Sequence, residues 1–340
     1  MPSDRSGTGV LLIGCGPTAH SALDSLAERF PVLGVVRDLD RGDTDGDPVR
    51  RRAAELGISV TADTSITGIE RLITRARPTC VVVSSYNRIL PPRVLAGRRF
   101  VNVHYAPLPR YRGRATVSWA MINAEPGTAI SIHVLTPDLD GGNILFQQGV
   151  PFESEDTITK IYNRLNTLQR LHLGDAVARH LAGDDGRPQD GSQATYTCSR
   201  LPQDGEIVWS QPTRRIHDLI RALAAPYPGG LTFLGGLPIR VWRADLVPNP
   251  PRYEGRVPGR VVNVARQHGW VDVLTGDGVL RVHEVEVAGD GPRPAAEVIT
   301  SVRCTLGLHA FDLLDRIRAL EAAVAELSRV GGRALSTQAV

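Results

Sequence analysis

The sequence predicts an α/β chain in two parts, a larger strand–helix domain followed by a small β-barrel and a terminal helix. Three observations predict it. Short β-branched runs alternate with helical patterns over residues 8–182, starting with a strand, a glycine turn, a helix and a strand at residues 10–36. From residue 232 onward, short strands follow one another with Gly or Pro at nearly every turn. Between the two, GDDGRPQDG at 183–191 breaks the composition and marks a linker over 183–193.

In order, residues 10–13 form a buried strand, 19–29 a helix and 32–36 a second strand. The turn between the first two carries Gly14, Gly16 and Ala19 in a GxGxxA pattern, with Asp38 beyond the second strand. That pattern admits a dinucleotide-dependent oxidoreductase. Pro17, however, removes a backbone N–H from the place where a pyrophosphate would sit, and a tight β–α turn is the other reading. After a polar Asp/Gly-rich loop at 37–47 come a helix at 48–56, a short strand at 58–60 and a helix at 66–75. TCVVVS at 79–84 reads as a central strand covered on both faces. The loop 85–91 leaves its carboxyl end, where ligands bind in open α/β sheets.

Residues 101–143 carry the chemistry. Asn102 and His104 lie two apart on a short strand and so share a face. Pro107 and Pro109 end that strand. Arg110, Arg112 and Arg114 follow around Gly113, then a helix at 115–124, a strand at 129–135 and a Gly-rich loop holding Asp138 and Asp140. An amide, an imidazole and a carboxylate delivered from adjacent strand ends suit acyl transfer to an amine. The amide can stabilise an oxyanion, worth roughly 3–4 kcal/mol at best. The histidine can take the proton, and the carboxylate can fix its tautomer and favour its charged form. By themselves these residues also fit a structural histidine and a turn aspartate. The three arginines fit solvated loop charges, holders of the carboxylates, or an anion site. Trp119 reads as helix-to-sheet packing, and His133, facing the same side as Ser131, as a core or supporting histidine.

Asn102-Val-His104, Leu108-Pro-Arg-Tyr-Arg-Gly113 and Leu139-Asp140-x-Gly142 together resemble the signature of the 10-formyltetrahydrofolate-dependent formyltransferases. The resemblance implies a Rossmann-like catalytic domain that binds no dinucleotide, with Asn102, His104 and Asp140 as the catalytic set. It implies 10-formyltetrahydrofolate as formyl donor, contacted by Arg88, Ile89 and Leu90 on one side and by Asp138 and Leu139 on the other. Tyr111, Arg112, Arg114 and Trp119 are then placed near the acceptor amine. The run Tyr111-Arg-Gly-Arg-Ala115 and Trp119 are most similar to the domain that acts on UDP-4-amino-4-deoxy-arabinose. Methionyl-tRNA formyltransferase is the alternative, but the loop at 37–52 lacks that enzyme's longer basic insertion. A nucleic-acid partner is therefore not expected. The acceptor classes left open are an amino-sugar nucleotide and an amino acid or hydroxylamine of a specialised-metabolite pathway.

A strand at 144–150 and an amphipathic helix at 157–181 complete the first domain. Residues 194–309 form the second, whose Asp204-Gly-Glu-Ile-x-Trp209 and Pro226-Tyr-Pro-Gly229 elements are similar to the start of the same family's OB-like C-terminal domain. Strands are expected at 232–234, 239–244, 259–264, 270–274 and 280–287, and Leu306-Gly-Leu308 matches the family's domain end. The resemblance stops there. The helix over 310–330 repeats Leu313, Ile317, Leu320, Val324 and Leu327 at steps of four and three, which fits either docking on its own domain or a homodimer seam. A disordered tail is expected after residue 331.

With 340 residues, 42% apolar and 22% charged, the chain is ordinary for a soluble protein with a sizeable core. A net charge of +3 does not argue for a polyanionic partner. Cys15, Cys80, Cys198 and Cys304 show no metal or disulfide spacing, so no metal site is expected. No run approaches 18 apolar residues and MPSDRSGTG lacks an export core, which predicts a cytoplasmic protein.

Overall fold

The structure, a computed structural model, describes residues 9–37 and 47–336, the last helix by its backbone alone beyond Leu327. Asp38, most of the loop 37–47 and the end of the tail lie outside the described residues. The chain divides into two compact units, Met1–Arg200 and Leu201–Val340.

The first unit is built on β1 (Val10–Gly14), α1 (Gly16–Ala27), β2 (Val32–Val36), α2 (Pro48–Glu55), β3 (Val60–Thr61), α3 (Ile66–Ala76), β4 (Cys80–Ser84), α4 (Pro92–Leu95) and β5 (Phe100–His104). It continues with β6 (Arg112–Gly113), α5 (Thr116–Ile122), β7 (Gly127–Val134), β8 (Ile144–Pro151), α6 (Ile158–Leu181) and β9 (Tyr196–Thr197). Seven strands form one sheet in the order β3-β2-β1-β4-β5-β7-β8. The first five run parallel, and β7 and β8 join antiparallel. Both β1 and β4 are buried along their whole length, as their unbroken apolar runs require.

The Gly14 turn has a packing explanation. A Cβ at Gly14 would lie 1.9 Å from the Ser84 carbonyl oxygen, so only glycine lets β1 and β4 end side by side. Pro17 sits in the first turn of α1. Below the strand ends, the buried Gln169 of α6 donates to the Thr18 carbonyl (2.8 Å) and Ser84 Oγ (3.1 Å), while Tyr105 Oη lies 2.7 Å from Gln169 Oε1. One amide thus ties α1, β4 and β5 together beneath the place where the site forms.

The expected linker at 183–193 is not a linker, and the second unit does not start at 194. Arg187 and Ile144 exchange backbone hydrogen bonds of 2.9 and 2.8 Å, β9 pairs with β6, and Trp119 Nε1 donates to the Cys198 carbonyl (2.9 Å). Residues 183–200 therefore strap onto the first unit, and the division falls at Arg200/Leu201. Gly and Asp set the turns of this strap, and composition alone cannot tell a turn-rich strap from a free linker.

The second unit holds α7 (Thr213–Ala222), β10 (Gly230–Leu234), β11 (Leu237–Leu246), β12 (Val261–Ala265), β13 (Trp270–Leu274), β14 (Val279–Val287), β15 (Arg293–Pro294), α8 (Ala295–Val298) and α9 (Ala310–Ser336). Its antiparallel sheet runs β10-β11-β14-β13-β12, with β15 on β14. Leu306 bridges Leu234 at one edge, and Thr305 bridges Arg260 at the other, so a single segment covers both edges. Ile207, Trp209, Ile216, Ile220, Val241 and Val273 lie in its core, and Trp209 Nε1 donates to Thr232 Oγ1 (2.9 Å). Helix α9 runs six residues beyond the expected end at 330, so backbone helix replaces the start of the expected tail. It does not bury its apolar stripe on its own unit. Every residue from 313 to 327 is exposed. No helix among the described residues is long and apolar enough to cross a membrane.

Candidate active site

The antiparallel step from β5 to β7 builds the site. Register places Asn102 opposite His133 and His104 opposite Ser131, so all four side chains share one face. The loop after β7 then returns over that face and brings Asp140 to them. Two local features make the return possible. Gly142 packs where a Cβ would lie 1.9 Å from the Val134 carbonyl oxygen, and Asp140 itself takes a left-handed φ of 47°.

Asn102, His104 and Asp140, singled out in the sequence, are brought together. Asn102 Nδ2 donates to Asp140 Oδ1 (3.4 Å), and His104 Nδ1 lies 3.7 Å from Asp140 Oδ2. The backbone N–H of Gly113 donates to Asp140 Oδ2 (2.9 Å). His104 Nε2 lies 2.8 Å from the Tyr111 carbonyl oxygen. A carbonyl only accepts, so in the neutral ring the proton sits on Nε2 and the Nδ1 lone pair faces Asp140. Burial pushes the His104 pKa below its ordinary value although Asp140 pulls the other way. Burial would raise the Asp140 carboxyl, but the facing His133 and His104 rings, in their charged forms, and the Gly113 amide outweigh it and hold it well below the usual carboxylate range. At neutral pH the pair is thus a neutral imidazole beside a carboxylate.

His133 is the residue whose place the sequence left least defined. It is fully buried, its Nδ1 lies 2.9 Å from the Val134 carbonyl oxygen and its Nε2 lies 3.1 Å from Asn102 Nδ2. The carbonyl fixes the proton on Nδ1, which leaves Nε2 to accept from Asn102 rather than to donate to Asp140, 3.6 Å away. The Asn102 amide therefore spends one N–H on His133 and the other, at longer range, on Asp140. Gln189 was missed altogether. Its Nε2 donates to the carbonyls of Asp140 and Gly142, both at 2.7 Å, while Arg112 Nη2 donates to its Oε1 at 2.8 Å. Cross-strand pairing could have drawn attention to His133, but no local pattern marks Gln189.

Of the residues expected at the acceptor, three are engaged elsewhere. The Tyr111 hydroxyl donates to Glu125 (2.8 Å) and accepts from Asn123 (3.2 Å), so only its carbonyl reaches the site. Arg112 is buried against Gln189, holding the Asp140 loop. Trp119 anchors residues 196–200, with Arg200 over its ring. Arg114 differs. It follows Gly113, is exposed, and its guanidinium has no polar partner among the described residues.

On the donor side, Leu90 turns into the core with Val94, Leu95 and Phe100, and so offers a ligand only its backbone. Arg88 is exposed, its Nη1 3.4 Å from the Thr64 carbonyl oxygen. Ile89 and Leu139, on the two loops expected to flank the donor, are 81% and 50% exposed, and Asp138 is exposed beside Leu139. Two cavities of about 660 and 460 Å³ lie elsewhere and contain none of Asn102, His104 and Asp140.

The family model described as formyl transferase matches residues 48–177, and that for the formyl transferase C-terminal domain matches residues 201–303, together more than half of the chain. The chain belongs to the formyl transferase family. The Gly14 turn precedes the matched residues, and its glycine is accounted for by the packing of β1 against β4. In fold the chain is similar to a variant of HypX from Aquifex aeolicus, at 17% identity and a TM-score of 0.60 over 87% of this chain and 49% of that one. HypX in complex with tetrahydrofolic acid aligns at 16% identity and 0.58, over 86% of this chain and 47% of that one. The chain thus spans about half the length of HypX. WlaRD, a sugar 3N-formyl transferase solved in the presence of dTDP and 5-N-formyl-THF, aligns at 14% identity and 0.62, over 84% of this chain and 99% of that one.

Proposed function

We propose that this formyl transferase family member moves a formyl group from 10-formyltetrahydrofolate to the amine of a small, anionic acceptor. The observation that carries the proposal is the convergence of Asn102 and His104 from one strand, β5, with Asp140 from the glycine-held loop that follows its neighbour β7. A neutral amine must lose a proton as it attacks the formyl carbon. His104, neutral and with the Nδ1 lone pair unprotonated, takes that proton and returns it to N10 of the folate as the formyl C–N10 bond breaks and tetrahydrofolate leaves. While the ring holds the proton, Asp140, on the same Nδ1 side, faces a charged imidazolium and stabilises it by its opposite charge. The Asn102 N–H that reaches Asp140 at 3.4 Å is the weaker of its two bonds and the one that can turn to the formyl oxygen as charge develops there. His133 keeps the amide oriented while it does so.

Ile89 and Leu139 supply apolar walls for a pterin, and Arg88, Asp138 and the backbone around Leu90 supply polar contacts. Two solvent-exposed aliphatic side chains, on the loops that the family resemblance sets on either side of the folate, fit a flat, partly apolar donor. For the acceptor, Arg114 offers a free planar fork beside Gly113, suited to phosphate or carboxylate. Together with the similarity at residues 111–115 and the fold shared with WlaRD, this favours a nucleotide-linked amino sugar. The test is to mix the protein with 10-formyltetrahydrofolate and a panel of nucleotide-linked amino sugars, amino acids, hydroxylamines and methionyl-tRNA, and to follow tetrahydrofolate release. Release that depends on an anionic amine supports the reading. Release with methionyl-tRNA alone, or no folate binding at all, overturns it.

A further inference from the structure

The α9 stripe points to an assembly. The seam residues Leu313, Ile317, Leu320, Val324 and Leu327 are between 41 and 72% exposed, and Leu314 beside them is also exposed. A helix with no packed face is marginal in water, because packing of an apolar face supplies most helix stability. Steps of four and three place Ile317 and Val324 at a positions, and Leu313, Leu320 and Leu327 at d positions. β-Branched residues at a with leucine at d favour two parallel strands over three or four.

The flanking charges select the same arrangement. Arg316 falls at g and Glu321 at the next e, the two positions that meet between parallel partners. By symmetry the pair forms twice. Antiparallel helices would set g beside g and e beside e, where the described residues are Arg316 with Ala323 and Leu314 with Glu321, and neither charge finds its opposite. Arg316 Nη1 lies 3.3 Å from the Gly236 carbonyl oxygen, a neutral contact on the exposed surface that it can exchange for a carboxylate.

We infer that α9 pairs with α9 of a second copy of this chain as a parallel, two-stranded coiled coil in register from Leu313 to Leu327. The test uses the full chain in sedimentation equilibrium over a wide concentration range. The wild type is expected to show twice the single-chain mass. Ile317→Lys with Val324→Lys, at exposed positions that leave the monomer fold unstrained, is expected to weaken self-association roughly 100-fold or more. In a Cys198→Ser background, Val324→Cys is expected to crosslink to itself on mild oxidation, because a positions face each other only in the parallel register. Arg316→Glu and Glu321→Arg are each expected to weaken the dimer, and the double exchange to restore it. A single-chain mass at every concentration, a dimer indifferent to the two lysines, or a Val324→Cys protein that does not crosslink while remaining dimeric would each overturn the inference.

Discussion

Asp140→Asn isolates the contribution of one charge, because the new amide is nearly isosteric and can still accept from Gly113. In the wild type the carboxylate lies 3.7 Å from His104 Nδ1, with both side chains largely buried. At an effective permittivity of about 20, its attraction for an imidazolium at that distance is about 4.5 kcal/mol, or roughly 10³-fold in rate if the charge develops fully in the transition state. A drop in turnover of about 10²- to 10³-fold is therefore expected, with little change in KM for the donor. The assay is steady-state release of tetrahydrofolate with the best acceptor. Urea unfolding supplies a readout that needs no acceptor. Because folding lowers the Asp140 pKa, its carboxylate stabilises the protein fully above the unfolded value of about 4, and that contribution is lost as pH falls further. The wild type's advantage over Asp140→Asn should accordingly shrink as pH drops below about 4. Turnover within threefold of wild type in a folded Asp140→Asn protein would refute the role given to this carboxylate.

Other perturbations separate the parts of the account. His133→Leu removes the acceptor that holds Asn102 while filling much of the space, and should lower turnover by about tenfold or more with donor affinity nearly unchanged. Ile89→Asp with Leu139→Asp should weaken tetrahydrofolate binding in calorimetry by at least about tenfold and leave the unfolding midpoint in place, since both side chains are exposed. Trp119→Phe loses the hydrogen bond to Cys198 and should cost about 1 kcal/mol in urea unfolding, with faster proteolysis within residues 183–200.

The strands and helices were legible because their patterns are strong. Val32–Val36 is found where the β-branched run places it, and β10 to β14 fall within a few residues of the Gly- and Pro-bounded runs. The trio at Asn102, His104 and Asp140 was legible because its motifs resemble the formyltransferase signature, while alternation along β5 only put Asn102 and His104 on one face. What escaped depends on contacts distant in sequence. Residues 183–200 carry the composition of a linker, yet their backbone pairs with Ile144 and with β6, 43 and 84 positions earlier in the closest cases. Tyr111 and Arg112 look like substrate ligands in a line of sequence, but Glu125, Asn123 and Gln189 claim their side chains. The α9 heptad was visible as a pattern, whereas its freedom from the rest of its unit needed coordinates.

The central claim is that His104 accepts a proton while a formyl group passes from folate to an amine. The direct measurement uses 10-formyltetrahydrofolate labelled with carbon-13 in the formyl group, incubated with the acceptor panel and followed by NMR for an N-formyl product. The wild type should transfer the label to an anionic amine. His104→Ala should transfer it at least about 10²-fold more slowly while binding tetrahydrofolate with affinity within a fewfold of wild type. Equal transfer by a folded His104→Ala protein, or a label that never reaches nitrogen, would contradict the account.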